Sequence, residues 1–436
     1  MSSRTAAAAA AAVLCCVMAS SAHAEGAVAL PSGRTDYRTL ADYSADIAAL
    51  VAAHPDRVRR VVIGESVEGR PLEGVEIADG VRRTDDGRPV HAELGLTHAR
   101  EWPSGEMVME LATELASSTR PRLARLRERV RTFLFPVVNP DGFNLSRTTL
   151  SDQRKNSHQV DLNRNFGAFW GGPGASDNPL DDTYRGPSPF SEPESQALRA
   201  WSATHMVATI NSNHTYSGTV LYQPGFAAVD APGLPAYSEL PGSPAFAALA
   251  ARMARAAGYD FGPAFAFDEI TGAAEDFNYF NQFSFAYTTE IGFDDYHGPY
   301  AEAVAEQYLD GADGVGVRAA MLRAAEAAAD RSTHARLRGR APAGSTLRIT
   351  RTVRYPTSYV RSDTGAVGPA RTLTDRFNGR LTVGDGGRFR WDVNPSVRPL
   401  DVLAGRRPRW TLVCGTRRTR FALSLGQVRD LGEVCG

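Results

Sequence analysis

Apolar residues recur along the first three quarters of this chain in two patterns. Spacings of three and four residues predict helices at 36–53, 104–118, 194–205, 245–257 and 301–330. Short unbroken apolar runs predict buried strands at 58–63, 72–77, 90–96, 133–138, 206–210 and 285–289. Strands that alternate with helices over about 300 residues favour an α/β fold, in which helices cover both faces of one sheet.

The pattern changes near Arg336. From there the chain has short alternating runs, such as 346–352 and 389–393, separated by turns rich in glycine, proline and aspartate. No helical spacing is evident in this part. The sequence therefore predicts two domains: an α/β domain over 25–335 and a small all-β, sandwich-like domain over 336–436.

Before the predicted α/β core, the amino terminus has the pattern of a secretion signal. Arg4 gives a short positive region, residues 6–17 form an apolar segment, and Ala22-His23-Ala24 has the small side chains of a cleavage site. The apolar segment is too short to span a bilayer, and no later stretch is long enough. We therefore expect residues 1–24 to be a cleaved signal peptide and the mature chain to be secreted. A lipid anchor at Cys15 or Cys16 is the alternative, but Leu14 is an unfavourable residue before a lipidated cysteine.

Two cysteines remain beyond the signal, Cys414 and Cys435. An even pair in an exported chain predicts a disulfide, which would connect the final strand of the small domain to its neighbour. A hydrophobic content of 43% and a charged content of 22% describe an ordinary globular protein. We expect it to be a monomer.

Charge is distributed unevenly along the chain. The formal net charge is −1, yet residues 336–436 contain about twenty arginines and about seven acidic residues, a surplus near +13. A basic domain could contact an anionic cell-wall polymer or an acidic substrate. The alternative is an arginine-rich solubilising surface, which fits a chain whose only lysine is Lys155. We expect no nucleic-acid partner.

The first candidate for chemistry follows the apolar run 90–96, where the chain continues as Thr97-His98-Ala99-Arg100-Glu101-Trp102. Imidazole nitrogen and carboxylate oxygen both suit zinc, and three protein ligands with one open position make a hydrolytic site. His98 and Glu101 would supply two ligands. His214, which follows the run 206–210, would supply the third. Taken alone, each motif also fits a solvated loop, so the prediction depends on the set.

Other groups near the predicted strand ends would complete a catalytic site. Glu290 follows the run 285–289 and could act as a general base, because a carboxylate that leaves a buried strand can have a raised pKa. Asn163 and Arg164 provide an amide and a guanidinium side by side, which fit a substrate carboxylate. Arg100 and Arg154 could add positive charge where an oxyanion forms.

Five motifs occur in a fixed order: T-H-A-R-E-W at 97–102, N-P-D-G-F at 139–143, D-L-N-R-N-F at 161–166, H-T-Y-S-G at 214–218 and T-E-I-G at 289–292. The second of these is also a turn signal at 139–142. In order and spacing the set resembles the zinc carboxypeptidases of the carboxypeptidase A/B type, peptidase family M14. The resemblance implies a mixed, mostly parallel eight-stranded sheet and one zinc ion bound by His98, Glu101 and His214.

The resemblance also implies a role for each remaining group. Glu290 corresponds to the general base and Arg154 to the arginine that stabilises the oxyanion. Asn163 and Arg164 correspond to the clamp for the terminal carboxylate. The family's second substrate-binding arginine and an aromatic residue of its cleft correspond to Arg100 and Tyr216.

The sequence departs from this family where a mobile tyrosine covers the bound terminal residue, about 22 residues before the base. The segment 265–272 has no tyrosine, so either Phe267 or Asp268 takes its place or the role is vacant. Glu275 falls where the family's pocket-floor residue lies. An acid there suggests a preference for a terminal Lys or Arg, although Glu275 and Asp276 could instead form a solvated turn.

The sequence thus predicts a secreted zinc exopeptidase that removes residues from the C-termini of peptides and proteins. A cell-wall peptidase with the same zinc chemistry is an alternative, since the amine of a meso-diaminopimelate-containing peptide would also suit an acidic pocket. A non-catalytic binding protein on the same fold is a second alternative, supported by the missing tyrosine and the basic tail. The presence of His98, Glu101, His214 and Glu290 together argues against it.

Overall fold

The computed structural model describes residues 29–227, 240–292, 294–309 and 315–435. The predicted signal peptide lies outside these residues. None of the described helices is both long enough and apolar enough to cross a membrane.

The strands of the first part form one eight-stranded sheet. They are β1 (Val58–Glu65), β2 (Pro71–Ile77), β3 (Val90–Leu94), β4 (Arg131–Phe135), β5 (Val207–Thr215), β6 (Thr219–Tyr222), β7 (Asp260–Pro263) and β8 (Phe285–Ile291). Their order is β1-β2-β4-β3-β5-β8-β6-β7. Four neighbouring pairs run parallel and three run antiparallel, so the expected mixed, mostly parallel sheet is confirmed. Because β4, β3, β5 and β8 run parallel at its centre, their carboxyl ends meet at one edge.

Helices connect these strands. They are α1 (Leu40–Ala53), α2 (Trp102–Ser117), α3 (Pro121–Arg129), α4 (Pro140–Thr149), α5 (Pro193–Thr204), α6 (Ser243–Ala257), α7 (Ala274–Gln282), α8 (Gln307–Leu309) and α9 (Val317–Ala328). Single 3₁₀ turns lie at Leu162–Arg164, Ala264–Ala266 and Arg331–Thr333, and a wider π turn at Ala301–Glu306. The predicted helix 301–330 is therefore divided into this π turn, α8 and α9, and residues 310–314 lie outside the description.

Apolar side chains on the two faces of the sheet belong to two separate clusters. On β4, Phe133 and Phe135 belong to one cluster and Leu134 belongs to the other. This alternation follows from the two-residue period of a strand. Residues of α1 and α2 pack in the cluster of Leu134, and residues of α6 and α7 pack in the cluster of Phe133. Helices thus cover both faces of the sheet.

One motif adopts a different local structure from its prediction. The segment 139–142 is not a turn but the start of α4, with Pro140 as its first residue. The side-chain oxygen of Asn139 accepts a hydrogen bond from the Gly142 amide at 3.0 Å, which caps the helix. Proline is favoured at the first helical position because its missing N–H would have no partner there.

The C-terminal part is rich in β-structure. Its elements are β9 (Ala335–Arg340), β10 (Thr346–Pro356), β11 (Val360–Arg361), β12 (Val367–Gly368), β13 (Thr372–Thr382), β14 (Arg388–Val393), α10 (Pro399–Leu403), β15 (Trp410–Cys414), β16 (Arg417–Phe421) and β17 (Val428–Glu433). They form a β13-β10-β15-β16 sheet, a β14-β9-β17 sheet and the small hairpin β11–β12. The expectation that this part has no helix is wrong at α10, a single short turn that begins with proline.

The two larger C-terminal sheets pack on each other and on the first part. A Cβ atom built on Gly379 of β13 would lie 3.1 Å from the ring of Trp391 on β14 and 2.6 Å from Met206, which precedes β5. One apolar cluster contains residues of both β sheets together with Val207 and Phe277. The apolar core is therefore continuous from the α/β part into the β part. The division into domains at residue 335 stays a prediction.

Candidate metal and substrate site

The three expected metal ligands meet at the carboxyl edge of the central strands. His98 and Glu101 lie in the loop between β3 and α2, and His214 is next to the last residue of β5. Because β3 and β5 are adjacent and parallel, their ends bring the three side chains together. All three residues are buried.

The ligand atoms of these three residues converge on one point. His98 Nδ1 lies 2.8 Å from one carboxylate oxygen of Glu101, and His214 Nδ1 lies 2.9 Å from the other. The two Nδ1 atoms are 3.0 Å apart. Two nitrogens and a carboxylate at these separations are a donor set that suits zinc, whose bonds to them are about 2.0–2.2 Å long. The residues present therefore fit a zinc ion.

The charges of the three side chains are coupled. Burial would raise the pKa of Glu101, but His98 and His214 hold it well below its ordinary value. Burial would lower the pKa of His214, but Glu101 raises it to about 9. The carboxylate of Glu101 thus favours positive charge at the point where the three side chains meet.

A further acid, which the sequence analysis did not single out, orients one imidazole. Asp161 Oδ1 lies 3.1 Å from Nε2 of His98, and Oδ2 accepts a hydrogen bond from Arg154 Nη2 at 2.9 Å. Burial would raise the pKa of Asp161, but Arg154 and His98 keep it well below its ordinary value. Such an outer partner fixes which ring nitrogen faces the metal. Its position at the start of D-L-N-R-N-F was the only sequence signal for it.

The expected base lies beside the ligands. Glu290 on β8 is the register partner of His214 on β5. Burial raises the pKa of Glu290, and the neighbouring His214 opposes that shift. A carboxylate with a raised pKa beside a metal site is suited to exchange protons near neutral pH.

Asn163 and Arg164 lie in the 3₁₀ turn at the other side of the cleft. The side-chain oxygen of Asn163 accepts a hydrogen bond from the Ala274 amide at 3.1 Å. Nε of Arg164 donates to the carbonyl of Gly174 at 2.6 Å, and its nearest carboxylate among the described residues is Asp161, at 3.7 Å. The guanidinium is thus held in place by a backbone carbonyl, with Asp161 as a longer ion-pair partner.

Two residues expected in substrate binding lie in different places. Tyr216 is 43% exposed and lines the cleft, where its ring is 5.0 Å from that of Tyr296. Arg100 does not line the cleft. Its guanidinium lies 4.0 Å from the centre of the Tyr296 ring and 3.2 Å from Asp182. Arg100 therefore contacts a residue of the aromatic wall, and its assignment as a substrate-binding arginine stays a prediction.

Glu275 lies in the first turn of α7 and is 1% exposed, so the solvated turn considered for it is wrong. One of its carboxylate oxygens accepts a hydrogen bond from Thr288 at 3.3 Å. No cationic side chain among the described residues lies within ion-pair distance of it. Burial raises the pKa of the adjacent Asp276 well above its ordinary value. Glu275 is thus a buried carboxylate that lines the cleft and has no ion-pair partner among the described residues, although Arg164 and His214 interact with it at longer range.

These residues line one cleft of about 460 Å³, which includes His98, Glu101, Arg154, Asn163, Arg164, His214, Tyr216, Phe267, Asp268, Glu275, Glu290 and Tyr296. Phe267 and Asp268 are exposed at its mouth. A larger groove of about 880 Å³ lies between α6 and α9, but the ligand set is not part of it. The smaller cleft is therefore the candidate site.

The sequence and the structure both match known proteins. A family model described as Zinc carboxypeptidase matches residues 43–307, more than half of the chain. Carboxypeptidase A2 of Mus musculus is 35% identical over 201 residues, which cover 44% of this chain and 47% of that protein. A zinc carboxypeptidase of Simulium vittatum is 31% identical over 199 residues, which cover 43% of this chain and 64% of that protein. The chain spans about half the length of the first of these curated relatives.

Two solved structures share the fold. Carboxypeptidase A from Helicoverpa armigera superposes with a TM-score of 0.60 and 25% identity, covering 68% of this chain and 74% of that chain. Thrombin activatable fibrinolysis inhibitor superposes with a TM-score of 0.59 and 21% identity, covering 68% of this chain and 76% of that chain. The second likeness is a likeness of fold alone.

Proposed function

This chain belongs to the zinc carboxypeptidase family, and on that premise we propose that it is a secreted exopeptidase that hydrolyses the C-terminal peptide bond of peptides and proteins. The observation that carries the proposal is the convergence of His98, Glu101 and His214 in one cleft with Glu290. We assign one zinc ion per chain to the three ligands.

Bound by these residues, zinc would supply a Lewis acid that polarises the scissile carbonyl and lowers the pKa of an attacking water. Glu290 takes a proton from that water and later gives it to the leaving amine, for which its raised pKa is suited. Arg154, held by Asp161, stabilises the negative charge that develops on the carbonyl oxygen. Glu290 and Arg154 line the cleft, and Asp161 contacts Arg154.

Asn163 and Arg164 bind the terminal carboxylate of the substrate. Because the oxygen of Asn163 is engaged by Ala274, its amide nitrogen is the group that it offers, and a carboxylate needs a donor. Arg164 lines the same cleft, and among the described residues its nearest carboxylate is Asp161, at 3.7 Å. A free carboxylate would therefore find a cation and an amide donor side by side, which explains a preference for chain ends.

Glu275 selects a terminal Lys or Arg. A buried carboxylate without a cationic partner is costly, and a substrate ammonium or guanidinium would remove that cost. An apolar terminal side chain would leave the charge unpaired. The preference for basic residues is supported by the burial of Glu275 and by its lack of an ion-pair partner among the described residues.

Asp268 lies at the position 22 residues before Glu290, at the mouth of the cleft. Burial lowers the pKa of Arg164, and the carboxylates of Asp161 and, to a smaller extent, Asp268 oppose that shift. An aspartate side chain is too short to cover a bound residue as a tyrosine would. We therefore propose that the charges of Arg164 and Glu275 hold the terminal residue of the substrate in the cleft, and that no aromatic ring covers it.

Secretion is supported by the signal pattern at 1–24 and by the disulfide between Cys414 and Cys435. The arginine-rich residues 336–436 would contact an anionic polymer in that environment. We propose that the protein acts as a monomer on peptide C-termini.

A time course of residue release tests this function. Peptides that are identical except for their last residue, which is Lys, Arg, Leu or Phe, are compared with a muropeptide that ends in meso-diaminopimelate. Release of Lys or Arg at the highest rate supports the proposal. Faster cleavage of the muropeptide favours the cell-wall peptidase, whose substrate amine would also pair with Glu275. No release from any substrate by the zinc-loaded protein would favour the binding protein instead.

A further inference from the structure

Helix α7 extends from the substrate cleft to the C-terminal β part. At its start, the Ala274 amide donates to Asn163, and Glu275 lies in the first turn. At its end, the carbonyl of Asn281 accepts a hydrogen bond from Arg351 of β10 at 3.0 Å. One short helix thus connects the proposed carboxylate clamp and the proposed selectivity residue to a residue of the other part.

Arg351 is a buried cation whose partners are backbone carbonyls. It donates to Pro395 and Ser396 at 2.7 and 3.0 Å, in addition to Asn281, and its guanidinium lies 4.6 Å from the ring centre of Trp410. Among the described residues no carboxylate lies within ion-pair distance of it. The carboxyl end of a helix carries partial negative charge, so the end of α7 balances the charge of Arg351. This contact fixes the end of the helix along its axis.

A second contact fixes the rotation of the helix. The ring of Tyr355 lies 6.0 Å from that of Phe277, at an angle of 70°. Arg351 and Tyr355 are four residues apart on a strand, so they share one face of β10. Phe277 and Asn281 are four residues apart on a helix, so they also share one face. Two side chains of one strand therefore contact two successive turns of α7.

The segment after β10 supports the other side of the cleft. The hydroxyl of Ser358 donates to the carbonyl of Phe169 at 2.7 Å, and its amide donates to that of Trp170 at 3.2 Å. The same loop continues to Gly174, whose carbonyl accepts from Arg164. The β part thus contacts the supports of both groups that would recognise the terminal residue.

We propose that β10 and Ser358 position the terminal-residue pocket, with Arg351 as the principal positioning residue. The expected changes in KM and selectivity depend on the proposed function, whereas the expected change in the hydrogen exchange of α7 does not. The C-terminal part is then a component of substrate recognition. If Arg351 were only a structural anchor, its loss would lower stability without changing which terminal residue is preferred.

The test compares Arg351→Met with Arg348→Met in the full-length protein. Arg348 lies on the opposite, exposed face of the same strand and is the matched control. For Arg351→Met we expect the KM for a peptide ending in Lys to rise about 3- to 30-fold, with kcat and zinc content close to wild type. The preference for Lys over Leu should fall, and Arg351→Lys should recover part of it. Hydrogen exchange in residues 274–282 should be faster than in wild type and in Arg348→Met.

A second pair of variants applies if Arg351→Met does not fold. Tyr355→Leu removes the ring that contacts Phe277, and Tyr355→Phe keeps it. Faster exchange of α7 and a higher KM in the leucine variant alone would support the inference. Unchanged KM, selectivity and α7 exchange in a folded variant would overturn it, whatever the change in melting temperature. If wild type hydrolyses no peptide, the proposed function fails while the exchange of α7 still decides this inference.

Discussion

His214 and Glu290 are register partners on the adjacent parallel strands β5 and β8. A ligand of the proposed metal and the proposed base are therefore held by direct backbone pairing of two central strands. Loops would fix the same two groups less rigidly. The sheet itself thus sets the spacing between the metal position and the carboxylate that exchanges protons with water.

Replacement of Glu290 by Gln tests the role of this carboxylate. The amide keeps the shape of the side chain but cannot accept a proton, so we expect kcat to fall roughly 100- to 10,000-fold. KM and zinc content should change little, because Glu290 is not among the three converging ligands. Steady-state kinetics with metal analysis checks both. A variant with near wild-type kcat would exclude Glu290 as the base.

Zinc binding should release protons. Below pH about 9, the metal-free protein holds a proton on His214, since Glu101 raises the pKa of that imidazole against the effect of burial. A ligand imidazole must be neutral, so uptake of zinc at pH 7 should displace about one proton, and affinity should weaken as the pH falls. Calorimetric titration in two buffers of different ionisation enthalpy measures the proton count. Equal heats in both buffers would contradict the protonation of His214.

The same pKa predicts how the metal-free fold responds to pH. Because the pKa of His214 is higher in the folded than in the unfolded chain, its stabilising contribution is fully present below about pH 6.5. That contribution is lost as the pH rises through about 9.

Replacement of Glu275 by Ile tests selectivity. The variant removes the buried carboxylate and should lower kcat/KM for a terminal Lys about 30-fold or more, as expected for loss of one partner of a buried charge pair. The kcat/KM for a terminal Leu should rise. Glu275→Gln is the matched control for shape, and it should lose the preference for Lys without gaining Leu. A Lys preference that survives in both variants would place the selectivity elsewhere.

Removal of the disulfide should affect the C-terminal part alone. Cys414 ends β15 of the four-stranded sheet, and Cys435 follows β17 of the three-stranded sheet, 21 residues later. The bridge therefore joins the two sheets, and the expectation that it connects the final strand to its neighbour is wrong, since that neighbour is β9. Replacement of both by Ser should lower the free energy of unfolding by about 3 kcal/mol, from loss of loop closure. Peptidase activity of the folded protein should persist, because β10 remains paired with β13 over its whole length. Urea unfolding and activity are measured on the same sample. Loss of activity from the folded variant would mean that the bridge itself helps to hold the cleft.

The parts of the fold that could be predicted are those with long apolar runs or clear helical spacing. The runs at 90–96, 206–210 and 285–289 correspond to β3, β5 and β8, which carry the site. The strands β6 and β7 have only four residues each and were missed. Helix α7 was missed because aromatic and polar residues alternate in it without an apolar stripe, and its burial comes from contacts on every side.

Some residues of the candidate site could likewise be predicted from the sequence, and others could not. The ligands and Glu290 could be predicted because each follows a recognisable run and lies at a strand end. Sequence reasoning could not place Arg100 against Tyr296, since that contact depends on the packing of a distant loop. The contact between Arg351 and α7 joins residues 70 positions apart through a backbone carbonyl. Every residue type has such a carbonyl, so the sequence does not show where the contact forms.

The central claim is that His98, Glu101 and His214 together bind the one zinc ion that hydrolysis needs. It is tested most directly by removing the metal with a chelator and titrating zinc back while hydrolysis of a peptide ending in Lys is followed. We predict that activity is lost with the metal and returns in full at about one zinc per chain, and that His214→Ala prevents the return. An undiminished rate in protein stripped of metal, or full recovery in the His214→Ala variant, would contradict the account.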